Sequence, residues 1–207
     1  MDRQDLFSYI DSRKDDVIAD LQSLIRQRSV SAKKQGLEQC AAVVAGIMVK
    51  AGINTRILNL PRDGKSDGQS SIAPPIVYGE VKTKRKPGRT PKTLLFYNHY
   101  DVQPEDPIEL WEHDPYEGKV EGDYIYGRGS SDDKGELITR IKAVEYYLKF
   151  FGDVPCNIKF LVEGEEEIGS IHVGEYLAKY HDDFACDGVI WEFGYISIPV
   201  LAGTAFV

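Results

Sequence analysis

Four carboxylates fall within five residues in the run Glu163-Gly164-Glu165-Glu166-Glu167, followed by Ile168-Gly169-Ser170, with nothing basic close in sequence. Like charges this dense repel one another unless a cation or a proton compensates. The run follows an apolar, strand-like segment from Ile158 to Val162. A carboxylate cluster at a strand end suggests metal binding or acid–base chemistry. Three further positions share this character. Leu94 to Asn98 leads into His99-Tyr100-Asp101. A neutral imidazole ligates zinc well and needs an acceptor on its other nitrogen, and residues two apart share a face, so Asp101 could supply that acceptor. Asp132-Asp133 follows the Gly-flanked turn Gly127-Arg128-Gly129-Ser130-Ser131. Helix capping explains one acid there better than two. Glu192 follows Asp187-Gly188-Val189-Ile190-Trp191. Each cluster alone has an ordinary reading as a polar pair, a cap or an acidic helix start. Together, one histidine and several carboxylates suit a hard-to-borderline divalent cation such as zinc. A shared carboxylate lets two ions sit ~3.5–4 Å apart, and an unligated carboxylate can serve as general base on an activated water. A phosphate loop is not indicated, because the Gly-x-x-x-x-Gly-Lys-Ser/Thr pattern is absent.

These residues need elements to position them. Leu6, Ile10, Val17, Leu21, Leu24 and Ile25 recur at helical spacing, which predicts an amphipathic helix over 3–28. A second helix is expected over 36–51, ending near Gly52. Strands are expected at 54–60, 76–82, 93–98, 123–126, 157–162 and 188–191, with one more in 198–207. Residues 61–75 read as a polar loop, and the basic stretch Lys82 to Lys92, broken by Pro87, Gly88 and Pro91, as a solvated connection. Helices are expected over 133–151 and 170–180. Strands alternating with helices predict a layered α/β domain with a largely parallel sheet, whose ligand site lies beyond the carboxyl ends of the strands. Every acidic or histidine-bearing cluster falls at such an end.

Bulk properties narrow the function classes. The chain has 207 residues, 42% apolar and 28% charged, with a formal net charge of −8. That is an ordinary composition for a globular protein of about one domain. The acidic balance argues against nucleic acid as a partner. No apolar run reaches membrane-spanning length, and Met1-Asp2-Arg3-Gln4-Asp5 carries no signal-peptide pattern. Cys40, Cys156 and Cys186 are widely spaced, which fits a reducing, cytoplasmic compartment better than a disulfide framework.

Three stretches, His99-Tyr100-Asp101-Val102-Gln103-Pro104, Gly127 to Gly135 and Glu163 to Ser170, resemble the cocatalytic zinc exopeptidase and deacylase family. That family includes carnosine-type dipeptidases, glutamate carboxypeptidases, aminoacylases, acetylornithine deacetylases and succinyl-diaminopimelate desuccinylases. The resemblance spans roughly residues 76–192. Trp111 and Pro115-Tyr116-Glu117 are similar to its dipeptidase-like branch. It implies a layered αβα catalytic domain and hydrolysis of amide bonds in dipeptides or other small peptides. It also implies two divalent ions, zinc first, with manganese and cobalt as alternatives. His99 would bind one ion with Asp101 orienting its ring, Asp132 would bridge both, and Glu167 would bind the second. Glu192 would join His99, Glu166 would be the general base, and the Asp132–Asp133 peptide would be cis. Two departures qualify the likeness. Members are about twice this length, with a lid and dimerisation domain followed by a returning segment that brings a second metal-binding histidine. Neither His113, His172 nor His181 matches that motif. Residues 1–207 are therefore expected to be an N-terminal fragment of the catalytic domain, with homodimerisation a property of the absent lid. The other departure is Glu192, where the dipeptidase-like members more often carry Asp. N-acyl amino acid deacylase, carboxypeptidase and non-catalytic remnant accordingly stay open as alternatives.

Overall fold

The computed structural model describes residues 3–60, 73–85, 88 and 90–192. The strand expected in 198–207, most of the 61–75 loop and part of the basic stretch lie outside these residues. The first helix is two, α1 (Arg3–Asp11) and α2 (Lys14–Arg26). The Ser12 hydroxyl donates to the carbonyl of Tyr9, the kind of local side-chain bond that competes with helix continuation. Next come α3 (Leu37–Lys50) and the strands β1 (Asn54–Leu58), β2 (Ile76–Val81) and β3 (Thr93–His99). A small hairpin of β4 (Lys119–Glu121) and β5 (Tyr124–Tyr126) precedes α4 (Lys134–Phe151). The chain then forms β6 (Asn157–Glu163), α5 (Val173–Lys179), α6 (His181–Phe184) and β7 (Gly188–Ile190).

The five-stranded sheet has the order β1-β2-β6-β3-β7. It is mixed: β6, β3 and β7 are mutually parallel, whereas β1 pairs antiparallel with β2 and β2 antiparallel with β6. The parallel part carries the site-bearing strand ends. Side chains alternate across the pleat, so each strand feeds two cores. Val77, Phe160 and Val162 pack with Leu24, Ile25, Val44, Met48, Leu137 and Ile141 of α2, α3 and α4. Tyr78, Leu95, Tyr97 and Leu161 pack with Tyr176 and Phe184 of α5 and α6 on the opposite face. The result is the expected αβα layering. No helix among the described residues is long and apolar enough to cross a membrane.

Two buried lysines tie the helical layer together. Lys134 is fully buried at the start of α4 and donates to the carbonyls of Leu24 and Gln27 at the end of α2. Lys142 pairs with Asp20 of α2 and with Glu145, which also binds Lys149. Burial pushes the Asp20 and Glu145 carboxyls upward. Hydrogen bonds outweigh it, from Lys142 and Lys50 to Asp20 and from Lys149 and Lys142 to Glu145, so both titrate below the ordinary carboxylate range. Their contribution to stability is therefore complete at neutral pH and is lost as the pH falls through those depressed values. Lys142→Met removes the cation common to both acids and is expected to destabilise the fold by about 3 kcal/mol at pH 7. Urea unfolding checks this, and the difference from wild type should shrink in acid. A constant difference across pH would dissociate the loss from these carboxylates.

Candidate active site

The strand register brings the clusters to one place. β3 and β6 run parallel with His99 opposite Glu163, so both strands end level. The amide of Tyr100 donates to the carbonyl of Glu163 (2.8 Å), extending the ladder into the two loops that follow. β7 ends with Ile190 opposite Phe96. Trp191 then stacks on Tyr97 with ring centroids 3.8 Å apart, which brings Glu192 beside the end of β3. Asp132 and Asp133 arrive from the turn before α4.

His99 is fully buried at the centre. Its Nε2 lies 3.1 Å from Asp132 Oδ1 and 3.7 Å from Glu166 Oε2. Its Nδ1 lies 3.3 Å from Asp101 Oδ1 and 3.1 Å from the Asp101 carbonyl. Asp101 also accepts from the amides of Glu166 and Glu167, at 3.1 Å each. One buried carboxylate thus fixes both the imidazole and the backbone carrying the two glutamates. The geometry gathers all six residues singled out from sequence: His99, Asp101, Asp132, Glu166, Glu167 and Glu192. The Asp132–Asp133 peptide is cis.

Among the described residues, two sets of donor atoms lie within 4.8 Å of one another: His99 with Asp132 and Glu167, and His99 with Asp133 and Glu192. A single imidazole nitrogen serves one ion at a time, so His99 cannot complete both sets at once. The sequence marks Asp133 only as the second acid of a pair and gives it no ligand role. It occupies the cap position of α4 but makes no capping bond. Its Oδ2 instead accepts from Asn98 Nδ2 and from the amide of His99, both at 2.8 Å. The signal for it was the doubled acid, one more than capping requires. Glu163 and Glu165, on the same run, are buried supports. Glu163 accepts from Tyr97 Oη (2.6 Å) and Ser170 Oγ (2.7 Å), and Glu165 pairs with His172 Nδ1 (2.8 Å).

The electrostatics are those of a site short of positive charge. Burial pushes Asp133 up to about 6 and Glu192 up to about 7, and it also raises Glu163 and Glu167. Burial disfavours charge on His99, yet hydrogen bonds with Asp101 and Asp132 hold its imidazolium up to about 11. A hydrogen bond with His99 in turn lowers Asp132. Two buried carboxylate oxygens, Asp133 Oδ1 and Glu192 Oε2, have no hydrogen-bond partner among the described residues. Buried anionic oxygens are normally satisfied, so orphaned ones beside an imidazole fit a cation. The donor set of imidazole nitrogen and carboxylate oxygen fits zinc.

Close packing holds the glutamate run in place. A Cβ on Gly164 would lie 2.4 Å from the ring and hydroxyl of Tyr100. Tyr100 is fully buried and anchored through its hydroxyl to the carbonyl of Pro75 (2.7 Å). Gly164→Ala is expected to cost about 2 kcal/mol through overpacking. An unchanged denaturation midpoint would mean that Tyr100 has room to retreat.

The chain is similar to known proteins in sequence and in fold. The chain is 33% identical to human Beta-Ala-His dipeptidase over 184 residues, covering 86% of this chain and 36% of the relative. It is 34% identical to the Cys-Gly metallodipeptidase dug1 of Schizosaccharomyces pombe, covering 80% and 34%. Among solved structures, it superposes on an M20 family metallo-carboxypeptidase, Sso-CP2 from Sulfolobus solfataricus, with a TM-score of 0.73 and 35% identity. That match covers 86% of this chain and 37% of the other. The chain thus spans little more than a third of the length of these relatives. The model of peptidase family M20/M25/M40 matches residues 95–200, the stretch that contributes His99, the paired aspartates, the glutamate run and Glu192. The chain therefore belongs to peptidase family M20/M25/M40.

Proposed function

We propose that this chain carries much of the active site of a metal-dependent hydrolase that cleaves the amide bond of dipeptides or other small peptides. The observation that carries the reading is the convergence of His99, Asp132, Glu166, Glu167 and Glu192 on one spot, with Asp101 behind them. His99 and Glu192 would hold one ion, Glu167 the other, and Asp132 would bridge them. Two divalent ions, zinc in our reading and manganese or cobalt as alternatives, would when bound polarise the scissile carbonyl and acidify the attacking water. The rest of the chemistry belongs to the side chains. The backbone of Glu166 is pinned by Asp101, and its carboxylate accepts no hydrogen bond among the described residues. It is therefore free to take a proton from the attacking water and pass it to the departing amine. Asp101 keeps the His99 ring oriented so that Nε2 stays directed at the site.

The peptidase names of the relatives support the substrate class. A second reading, removal of an acyl group from an N-acyl amino acid or of a C-terminal residue, is favoured by Glu192 and by the metallo-carboxypeptidase likeness. Assay of the full-length protein, with its metal content measured, against dipeptides, longer peptides and N-acyl amino acids separates the two. Turnover of none of these classes in a protein loaded with two ions would remove the hydrolase reading.

We further infer that residues 1–207 form the N-terminal part of the catalytic domain. A lid domain and a returning segment with a second histidine would complete the longer protein and support a homodimer. The short span against the relatives and the presence of one imidazole in the donor sets found among the described residues support this. Light scattering on the full-length protein tests the dimer, and a monomer would remove it. A cytoplasmic location is supported by Cys40, Cys156 and Cys186, all free thiols in the structure. Recovery of the protein outside the cytoplasmic fraction would contradict it.

A further inference from the structure

Arg140 on α4 lies one layer behind the acids, with its side chain only 12% exposed. Its guanidinium draws three elements together. Nη1 donates to the carbonyl of Tyr97 (2.6 Å) and to Asn98 Oδ1 (3.0 Å), both on β3. Nη2 donates to Glu136 Oε2 (2.7 Å) on α4 and to the carbonyl of Trp191 (2.6 Å), just past β7. A guanidinium is planar, with N–H directions fixed relative to one another, so it also fixes the relative positions of its acceptors.

Two of those acceptors lead straight to the site. A guanidinium can only donate, so it must face the oxygen of the Asn98 amide, which turns Nδ2 toward Asp133. Asp133 Oδ2 accepts from that Nδ2 and from the His99 amide, which leaves Oδ1 as the uncommitted oxygen. On the other branch, the Trp191 carbonyl held by Arg140 adjoins Glu192. Trp191 stacks on Tyr97, and its Nε1 donates to Glu192 Oε1 (2.7 Å), leaving Oε2 uncommitted. β7 has only three residues, all exposed, so packing of that strand does little to fix Glu192. Glu167 is held by other means: Gln103 Nε2 donates to its Oε2 (2.8 Å), and Asp101 accepts from its amide.

We propose that Arg140 is a positioning residue that aligns Asp133 and Glu192 with His99, and thereby sets the affinity of the ion held by His99 and Glu192. The proposal rests on the metallohydrolase reading. It assigns to one arginine the alignment of one ion position, with the position at Glu167 left largely to Gln103 and Asp101.

The test is titration of metal-free, full-length protein with zinc and, for its absorption spectrum, with cobalt. The binding phase abolished by His99→Ala identifies the His99 ion. In Arg140→Met that phase should weaken by about 10- to 100-fold, while the other changes by less than about threefold. Arg140→Lys keeps the charge but cannot span the four acceptors, so it should restore only part of the affinity. Unchanged binding in Arg140→Met, or equal weakening of both phases, overturns the proposal. Should Arg140→Met fail to fold, Arg140→Lys is read by the same two criteria. Peptide turnover by the wild type is measured separately. Its absence from a protein holding both ions removes the hydrolase reading and leaves the Arg140 comparison intact.

Discussion

Replacing Glu166 with Gln in the full-length protein is expected to lower peptide turnover by at least about a thousandfold while metal content stays at the wild-type level. The effect is large because the substitution removes only the ability to carry a proton. Gln has nearly the same volume, and the Glu166 amide would still donate to Asp101, so the loop keeps its anchor. The carboxylate stands 3.7 Å from His99 Nε2, close to the ligands yet outside hydrogen-bond range of the imidazole. A group in that position can reach a water shared with the site without being consumed as a ligand. General acid–base catalysis contributes about 10²–10⁴-fold. A proton moved twice, first from water and then to the amine, belongs at the upper end of that range. The loss should fall on kcat, with KM little changed, because the missing step occurs after binding. Steady-state kinetics beside metal analysis checks both halves. Near-wild-type turnover would remove Glu166 from the proton path. Loss of metal together with turnover would instead make it a ligand.

Asp132→Ala is expected to abolish turnover by a different route, by emptying the site. Asp132 is the carboxylate nearest the His99 nitrogen and a member of the set that includes Glu167. A bridging carboxylate contributes to both ions at once, so its loss should leave less than one ion per chain after dialysis. The metal-free fold should survive with a modest loss. The Asp132 side chain is 66% exposed, but its hydrogen bond with the buried His99 goes with the substitution. Urea unfolding of the metal-free variant should therefore show a cooperative transition weakened by about 1–2 kcal/mol, against a near-complete loss of metal in the ion analysis. Retention of two ions would contradict the bridging role.

The legibility of this site in the sequence followed from the chemistry of its residues. His99, Glu166, Glu167 and Glu192 lie at or within a few residues of the ends of β3, β6 and β7, and strand ends are where an α/β sheet exposes its ligand site; Asp132 instead comes from the turn before α4, since the strand ahead of it belongs to the separate β4–β5 hairpin. The layered architecture was legible for a similar reason, because the periodicity of a half-buried helix or a buried strand is a local property. Strand direction was less so. β1 and β2 have the same apolar character whichever way they run, and the mixed sheet emerges only when β2 pairs with β6. The break at Ser12 was hidden because the apolar spacing continues across it, and the hydroxyl bond from Ser12 to the Tyr9 carbonyl that accompanies the break leaves no mark on that spacing.

By itself the sequence determined which acids and which imidazole were candidates, Asp133 aside, their order along the chain and the kind of cation they suit. Those are properties of residue type and local pattern. Only the tertiary structure decided what each acid does. Asp133 stands where a capping residue would, yet it turns its carboxylate to His99 and Asn98. Glu163 and Glu165 are indistinguishable in type from Glu166 and Glu167, yet they are buried in hydrogen bonds to Tyr97, Ser170 and His172. Arg140 reaches Asn98, 42 residues away, and Trp191, 51 residues away. A hydrogen bond depends on distance and direction in space. No spacing along the chain encodes it until parallel strands of equal reach, β3 and β6, set their ends side by side.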